Sequence, residues 1–385
     1  MGPCQGITVI DVSRYLPGRF CTLMLADLGA EVVTVEPPRS PSAKIQPIGT
    51  DTGARYLALN RNKKSMTVDL SVKDGRDIFY QLVRNRDLIV EGSRPGVAER
   101  LGIDYPTVRN INPRIVYASI SNFGQDGPYK TFPSHDINCL GLAGLLNAQE
   151  CSSVPTGIFL SDTIAALMAT IGILSALVEV QKSGRGQYID LSILDAVISC
   201  LNVRAMRHLL HETHALEADF TSLTYPFYNA YRAKDGRYVT VAAVEPHFWE
   251  RLCVLLERKD FAKHQSDGGA KREEILEYFR KQFATKTSDE WVKLFRDSDI
   301  PCGPVHSLEE VFNDPQVAFR SMIMETDHPF LGKMKQLGIP VKFSETLCEL
   351  KSAPPLYGEH TSEILQDLGY PKESIEALRK KGVIE

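Results

Sequence analysis

The sequence predicts an α/β protein in which a large domain built on a parallel sheet is followed by a smaller α+β domain. Residues 7–36 have the pattern of a strand, an amphipathic helix and a second strand, and strands and helices continue to alternate after them. From about residue 225 the pattern changes to a hairpin followed by helices. We therefore expect three segments: a large domain at 1–220, a small domain at 225–325, and a return to the large domain at 326–385.

The elements of the large domain follow in order. The first unit has a strand at 7–12, Pro17 where a first helical turn tolerates it, a helix at 20–28 ended by Gly29, and a strand at 31–36. Later elements repeat the alternation: a helix at 75–86, strands at 87–91, 115–120 and 187–191, and a helix after Ser192. This order predicts parallel strands with right-handed crossovers, as in a Rossmann-like sheet. The first turn lacks G-x-G-x-x-G, so NAD is not expected.

The small domain begins with a predicted hairpin whose strands, 228–233 and 237–244, flank the turn Lys234-Asp235-Gly236. Helical patterns follow at 247–256, 273–285 and 289–297. A last helical pattern at 362–368, after a Pro-Pro pair, lies in the segment that returns to the large domain.

Composition narrows the functional classes. The chain has 385 residues, of which 43% are hydrophobic and 24% charged, and a net charge of −4 without a basic stripe, so we expect no nucleic-acid partner. Its eight cysteines are scattered and form no C-x-x-C pair, which argues against a metal site and favours free thiols in a reducing compartment. With no signal-peptide pattern and no peroxisomal ending, we expect a cytoplasmic protein.

The longest apolar run, residues 154–178, is long enough to span a membrane. Asp162 lies inside it, and Pro155 and Gly157 interrupt its start, so we interpret it as a buried core helix and expect no membrane partner.

Asp162 is the first candidate for chemistry, since it is the only ionisable side chain in that run. A lone carboxylate in apolar surroundings is costly unless it is hydrogen-bonded or used. Ser161 and Asp162 are also typical N-cap residues for a helix over 163–180, and the two interpretations are compatible.

Three more side chains are candidates for proton transfer. His135 follows a turn-rich loop and has the side chain whose ordinary pKa lies closest to neutrality, although a lone histidine is more often structural. Asp136 could orient the imidazole or cap a helix. Glu245 ends a predicted strand before Pro246, and a helix N-terminal acid is its alternative interpretation.

Basic residues cluster in three segments interpreted as loops, and an anionic cofactor is their preferred ligand because arginine pairs well with phosphate. Solvated surface charge is the alternative. The basic residues are Arg39, Arg61, Lys63, Lys64 and Arg94, and Asn60 is included as a polar ligand of the same segment as Arg61.

Several segments together resemble the family III CoA-transferase (CaiB/BaiF) superfamily, and especially α-methylacyl-CoA racemase. The matching segments are Leu-Ala-Asp-Leu-Gly-Ala-Glu-Val-Val at 25–33, Asn-Arg-Asn-Lys-Lys-Ser at 60–65, Glu-Gly-Ser-Arg-Pro-Gly-Val at 91–97, Ser-Gly-Arg-Gly-Gln at 183–187 and Pro-Pro-Leu-Tyr-Gly-Glu-His-Thr at 354–361.

The resemblance implies an enzyme of CoA thioesters that needs no metal or separate cofactor, because CoA enters as part of the substrate. It implies an interlocked homodimer, with CoA bound over the large domain. Asp162 matches the family's active aspartate, which is an acyl-carrying nucleophile in the transferases and a proton-transferring group in the racemases.

The two branches are distinguished by further residues. His135-Asp136-Ile137-Asn138 and Glu245-Pro246 resemble the racemases. Ile158 and Cys139 depart from the racemase pattern, and the segment 191–196 is similar to the transferases. The preferred hypothesis is racemisation of 2-methyl-branched acyl-CoA by 1,1-proton transfer through an enolate. Asp162 and His135 would serve opposite faces of the α-carbon, supported by Asp136 and Glu245, with N–H groups at the start of the Asp162 helix facing the thioester oxygen. CoA transfer through Asp162 is the alternative.

Overall fold

The computed structural model describes residues 2–38, 51–146, 157–210 and 224–385. The chain forms two compact units, the first from Met1–Val203 and Phe319–Glu385 and the second from Arg204–Ala318. We refer to them as the large unit and the small unit.

A six-stranded parallel sheet forms the centre of the large unit, which confirms the predicted fold class. Its strands lie in the order β3-β2-β1-β4-β5-β6. They are β1 Thr8–Asp11, β2 Glu31–Glu36, β3 Lys63–Thr67, β4 Leu88–Glu91, β5 Val116–Ser121 and β6 Tyr188–Ser192. The order reverses between β1 and β4, and ligands of open α/β sheets bind at the carboxyl ends of the strands near such a reversal.

Seven helices lie between these strands along the chain: α1 Leu16–Asp27, α2 Asp51–Leu59, α3 Lys73–Val83, α4 Val97–Leu101, α5 Tyr105–Ile111, α6 Asp136–Leu142 and α7 Leu160–Ser183, within the described ranges. Two more follow β6: α8 Ile193–Ser199 and α9 Asn202–Leu210, and α9 includes the boundary between the units at Arg204. Helix α7 is longer than predicted at both ends and ends at Gly184, whose φ of 70° suits a residue without a Cβ.

Successive strand residues face opposite sides of the sheet, and both sides are buried. Val9 packs with α1 and α7 on one face, while Ile10 packs with α3 on the other. Parallel sheets covered on both faces have such apolar strands.

The small unit has a three-stranded antiparallel sheet and a core rich in aromatic side chains. Its elements are β7 Tyr228–Arg232, β8 Tyr238–Ala242, α10 Pro246–Leu255, a 3₁₀ helix at Lys259–His264, α11 Gly269–Phe283, α12 Ser288–Asp297, β9 Cys302–Pro304, α13 Leu308–Asn313 and α14 Pro315–Phe319.

The last part of the chain belongs to the large unit. It forms β10 Ile323–His328, β11 Gly332–Leu337, α15 Thr361–Asp367 and α16 Lys372–Lys380. Thr361 Oγ1 accepts a hydrogen bond from the Thr67 N–H at 3.0 Å, and Ile364 and Ile375 pack in the core with α3.

One sequence interpretation is wrong: residues 63–67 form a strand and not part of a ligand-binding loop. The strand could not be identified from its sequence because most of its residues are polar. Strand β3 lies at an edge of the sheet, and its buried polar side chains form hydrogen bonds with neighbouring elements. Ser65 donates to Glu36 and Lys63 to Thr22, so hydrogen bonds take the place of apolar packing.

Candidate active site

A cavity of about 570 Å³ opens where the strands of the large unit end. Segments that follow β1 to β5 line it, among them Ser13, Pro37, Asp69, Gly92 and Asn122. His135 and Asp162 line the same cavity. Two of the predicted catalytic side chains are therefore brought together at the edge of the sheet where ligands of this fold class bind.

Asp162 is the third residue of α7, not its N-cap. Phe159 has the N-cap position, and Leu160 and Ser161 already lie in the first turn. The predicted N-cap role of Ser161 and Asp162 is thus wrong, because the helix begins earlier than residue 163. The polar side chain that caps this helix comes from a different element.

That side chain is Asp136, in the first turn of α6. Its Oδ1 accepts hydrogen bonds from the Ser161 N–H at 2.6 Å and the Ser161 hydroxyl at 2.8 Å. A carboxylate at a helix N-terminus satisfies an otherwise unpaired N–H and interacts favourably with the dipole. Of the two roles suggested for Asp136, orienting the imidazole and capping a helix, the hydrogen bonds show the second, at α7 and not at the helix that follows Asp136 directly. Asp136 therefore positions the turn that carries Asp162.

The pKa of Asp162 is raised to about 6, chiefly by burial. The negative charge of Asp136 raises this pKa further, while His135 lowers it. A carboxyl group with a pKa near neutrality can both accept and release a proton in a neutral cell.

His135 directly precedes α6 and is exposed. The Asn138 side chain accepts a hydrogen bond from the His135 N–H at 3.0 Å, which fixes the backbone at this position. The preceding residue is also held, because Asn122 Nδ2 donates to the Ser134 carbonyl at 3.0 Å. Hydrogen bonds thus hold the backbone around His135 in place, and its exposed side chain is accessible to a ligand.

Glu245 belongs to the small unit, where it is the exposed N-cap residue of α10 with Pro246 following it. Its side chain makes no capping hydrogen bond. Its predicted support of His135 stays a prediction.

Three of the predicted CoA ligands are buried and engaged within the large unit. Arg61 forms two hydrogen bonds to Asp27, the shorter at 2.7 Å. Asn60 accepts from Arg19, and Lys63 donates to the Arg19 carbonyl at 2.9 Å and lies 3.4 Å from Asp11. Burial lowers the pKa of Lys63 to about 8. These side chains stabilise the fold and do not face the cavity.

The other predicted ligands differ among themselves. Lys64 forms a surface ion pair with Glu363 at 2.8 Å. Arg94 is exposed and lines the cavity. Arg39 lies outside the described residues.

Three cations at the cavity were missed by sequence reasoning: Arg14, Arg100 and Lys130. All are exposed, and like Arg94 they form no salt bridge within the described ranges. Arg14 could have been predicted from the sequence, since it lies two residues after the end of the predicted strand at 7–12. Arg100 and Lys130 lie farther from strand ends and become neighbours of the site only through the fold.

A search against family models matches residues 4–361 to CoA-transferase family III. The chain belongs to this family. The match covers both units, so the family III assignment describes the whole chain and not only its sheet.

Related proteins include both kinds of enzyme considered above. The chain is 32% identical to mouse succinyl-CoA:glutarate CoA-transferase, covering 100% of this chain and 91% of that protein. It is 30% identical to human alpha-methylacyl-CoA racemase, covering 99% and 97%. A crystal structure of a CaiB/BaiF family protein from Brucella suis matches with a TM-score of 0.82 at 26% identity, covering 95% of this chain and 99% of that one. Family III membership therefore supports an enzyme of acyl-CoA chemistry without choosing between transfer and racemisation.

Proposed function

We propose that this family III enzyme racemises 2-methyl-branched acyl-CoA thioesters by 1,1-proton transfer at the α-carbon. The observation that carries the proposal is the presence of Asp162 and His135 in one cavity, with the pKa of Asp162 raised to about 6. A carboxyl group with a pKa near neutrality, facing a second side chain that can exchange protons, suits a reaction that must run in both directions.

The reaction has a simple proton balance. One of the two side chains removes the α-proton and leaves an enolate, whose charge rests on the thioester oxygen. The other side chain delivers a proton to the opposite face, which inverts the configuration. Net charge and composition of the substrate are unchanged, so no external reagent is consumed.

CoA would be held through its phosphates by the four cations of the cavity, Arg14, Arg94, Arg100 and Lys130. Guanidinium groups suit phosphate oxygens because they offer paired donors. CoA would thus act as the carrier portion of the substrate, and the proposed reaction requires no separate cofactor.

The test is mass spectrometry of (R)- and (S)-2-methylacyl-CoA incubated with the enzyme in D₂O without a free carboxylic acid. We expect deuterium at the α-carbon together with inversion, and loss of both in the variants Asp162→Asn and His135→Ala. Full racemisation by either variant would refute its assigned role.

CoA transfer is the second candidate, and the names of relatives such as the mouse enzyme favour it. The Asp162 carboxylate would attack the thioester carbonyl, expel CoA thiolate and form a mixed anhydride. CoA thiolate would then attack the aspartyl carbonyl, which releases the first acid as a carboxylate and leaves an aspartyl-CoA thioester. An acceptor carboxylate would displace CoA thiolate to form a second anhydride, and attack of CoA thiolate on the acceptor carbonyl would give the new acyl-CoA and free the Asp162 carboxylate. Hydroxylamine added with acyl-CoA should modify Asp162 in a transferase, whereas a racemase should be unaffected.

We also propose that the chain forms a homodimer. Leu167, Ile171 and Val178 of α7 are 47%, 58% and 50% exposed, although the opposite face of the helix packs on α1 and β5. A contiguous apolar face of this kind is typical of an interface. The interlocked arrangement implied by the resemblance stays a prediction.

Sedimentation velocity tests the dimer: the wild-type chain should sediment at twice the monomer mass, and Ile171→Glu should shift it toward the monomer. Helix α7 is also long and apolar enough to cross a membrane. A monomer that floats with lipid vesicles would therefore contradict the dimer and assign the same face to a membrane.

A further inference from the structure

The Ser121 hydroxyl lies at the cavity and has no hydrogen-bond partner within the described part of the chain. Ser121 is the last residue of β5, lines the cavity and is only 8% exposed. Its Oγ is buried and has no hydrogen-bond partner among the residues that the structure describes. A buried hydroxyl without a partner costs free energy, so a residue of this kind calls for an explanation.

Three other buried serines, in the sheet or just after one of its strands, behave differently. Ser13 donates to Asp11, Ser65 to Glu36 and Ser119 to Glu91, so each of these buried hydroxyls is matched with a carboxylate. Ser121 lies two residues beyond Ser119 on the same strand, yet its hydroxyl has no carboxylate partner among the described residues. Since the residues that the structure describes provide no partner for its Oγ, we consider a ligand in the cavity as the group that can accept its hydrogen bond.

Ser121 also lies at the reacting end of the cavity. Its neighbour Asn122 donates to the Ser134 carbonyl, which directly precedes His135. On its other side, Ser121 pairs with Ser192 of β6, and Ile193 after it lines the cavity too. A serine side chain has three staggered positions about χ1, so a rotation can turn Oγ toward a bound ligand.

The reaction calls for a hydrogen-bond donor at this end of the cavity. Either reaction develops negative charge on the thioester oxygen, and a donor aimed at that oxygen accelerates it. The Ser161 N–H at the start of α7 is already taken by Asp136, so it does not supply one.

We propose that the Ser121 hydroxyl donates a hydrogen bond to the thioester carbonyl oxygen of the acyl-CoA. The inference rests on the proposed acyl-CoA function but holds for both reactions, since an enolate and a tetrahedral intermediate place their charge on this same oxygen. Ser121 is thereby a catalytic residue that stabilises charge and transfers no proton.

Ser121→Ala tests the proposal, with Thr34→Val as the matched control. Thr34 Oγ1 is likewise a buried strand hydroxyl without a partner in the described chain, but Thr34 does not line the cavity. We expect Ser121→Ala to lower kcat about 100-fold, and Thr34→Val to leave it within twofold. Neither variant should lower Tm, because neither loses a hydrogen bond in the folded protein.

A binding comparison identifies the atom that Ser121 contacts. The ligands are 2,2-dimethylpropanoyl-CoA, which has no α-hydrogen, and its thioether analogue, in which CH₂ replaces the carbonyl. Ser121→Ala should weaken binding of the thioester about threefold to tenfold and leave thioether binding unchanged. Equal weakening of both ligands would place the contact on the pantetheine portion and overturn the proposal, as would an unchanged kcat in an active enzyme.

Ligand binding can be measured without turnover. The proposed reaction and the proposed Ser121 contact can therefore be refuted independently of each other. A wild-type protein that shows neither exchange nor transfer, but keeps the Ser121-dependent preference for the thioester, would refute the reaction and retain the contact. A lower Tm for Ser121→Ala with unchanged ligand preference would make the hydroxyl structural and refute the contact.

Discussion

Asp162 combines two opposing influences on one carboxyl group. Its position in the first turn of α7 favours the charged form, because the helix dipole is positive there. Burial and the nearby charge of Asp136 favour the protonated form, and they prevail, since the pKa rises from 3.8 to about 6. The group is thus prepared for proton transfer at some cost to the folded state.

The stability of the folded protein should reflect that cost. A pKa that is higher in the folded than in the unfolded chain means that stability falls as pH rises from about 4 to about 6 and stays lower above it. After allowance for partial exposure, we expect Asp162→Asn to be more stable than wild type by about 1–2 kcal/mol at pH 7.5. Thermal denaturation at pH 5 and pH 7.5 checks this: the advantage of the variant should grow with pH, and a shrinking advantage would contradict it.

At the scale of elements, the junction between α6 and α7 sets the geometry of the site. Asp136 belongs to α6, yet it completes the hydrogen bonding at the start of α7 through Ser161. His135 and Asp162 belong to the same two helical starts. A single carboxylate therefore fixes the spacing of the two proposed proton-transferring groups.

Two substitutions separate the charge of Asp136 from its hydrogen bonds. Asp136→Asn keeps an oxygen acceptor for Ser161 but removes the charge that raises the pKa of Asp162. The acidic limb of the kcat/KM profile should shift to lower pH with little change in Tm. Asp136→Ala loses the acceptor too, so Tm should also fall, by the equivalent of about 1–2 kcal/mol. An unchanged pH profile in both variants would remove Asp136 from the electrostatics of the site.

Strand β3 offers a comparison between adjacent lysines. Lys63 lies in a buried network with Asp11 and Thr22, whereas Lys64 pairs with Glu363 at the surface. Lys63→Met should destabilise the large unit by about 3 kcal/mol, because it leaves the Asp11 carboxylate buried without its ammonium partner. Lys64→Met should cost less than about 1 kcal/mol. Urea denaturation of both variants measures the difference, and similar midpoints would argue against a structural role for Lys63.

For the whole molecule, segments distant in sequence share one core. Ile375 of α16 is 2% exposed and belongs to the same hydrophobic core as Phe79 of α3, so the end of the chain completes one face of the main sheet. The small unit has an aromatic core of its own. The large unit is thus discontinuous in sequence, and the small unit is continuous.

Helix α16 provides the corresponding test. Ile375→Ala should lower the stability of the large unit by about 2–4 kcal/mol, since it opens a cavity in a packed core. The exposed neighbour Glu376 is the control, and Glu376→Ala should stay within about 0.5 kcal/mol. Thermal denaturation followed by circular dichroism compares them; equal effects would mean that α16 is not part of the core.

The sheet could be predicted wherever strands are apolar. Strands β1, β2, β4 and β5 lie within a residue or so of their expected bounds, because parallel strands buried on both faces have apolar sequences. Strand β6 also lies within a residue of its expected bounds, although it is an edge strand with exposed residues. Strand β3 could not be predicted, because it is stabilised by polar groups that are distant in sequence and become its neighbours only in the folded chain. The same holds for the site. Asp162 and His135 were accessible as isolated titratable residues, whereas the link from Asp136 to Ser161 depends on a contact across 25 positions of the chain.

The discontinuity of the large unit has a consequence for the order of folding during synthesis. The small unit, Arg204–Ala318, is continuous and can fold as soon as it leaves the ribosome. The large unit must wait for α15 and α16, since Thr361 bonds β3 and Ile375 fills the core beside α3. Its nascent sheet therefore keeps one apolar face uncovered while more than a hundred further residues are made, and chaperone binding to the unfinished chain is expected during that interval.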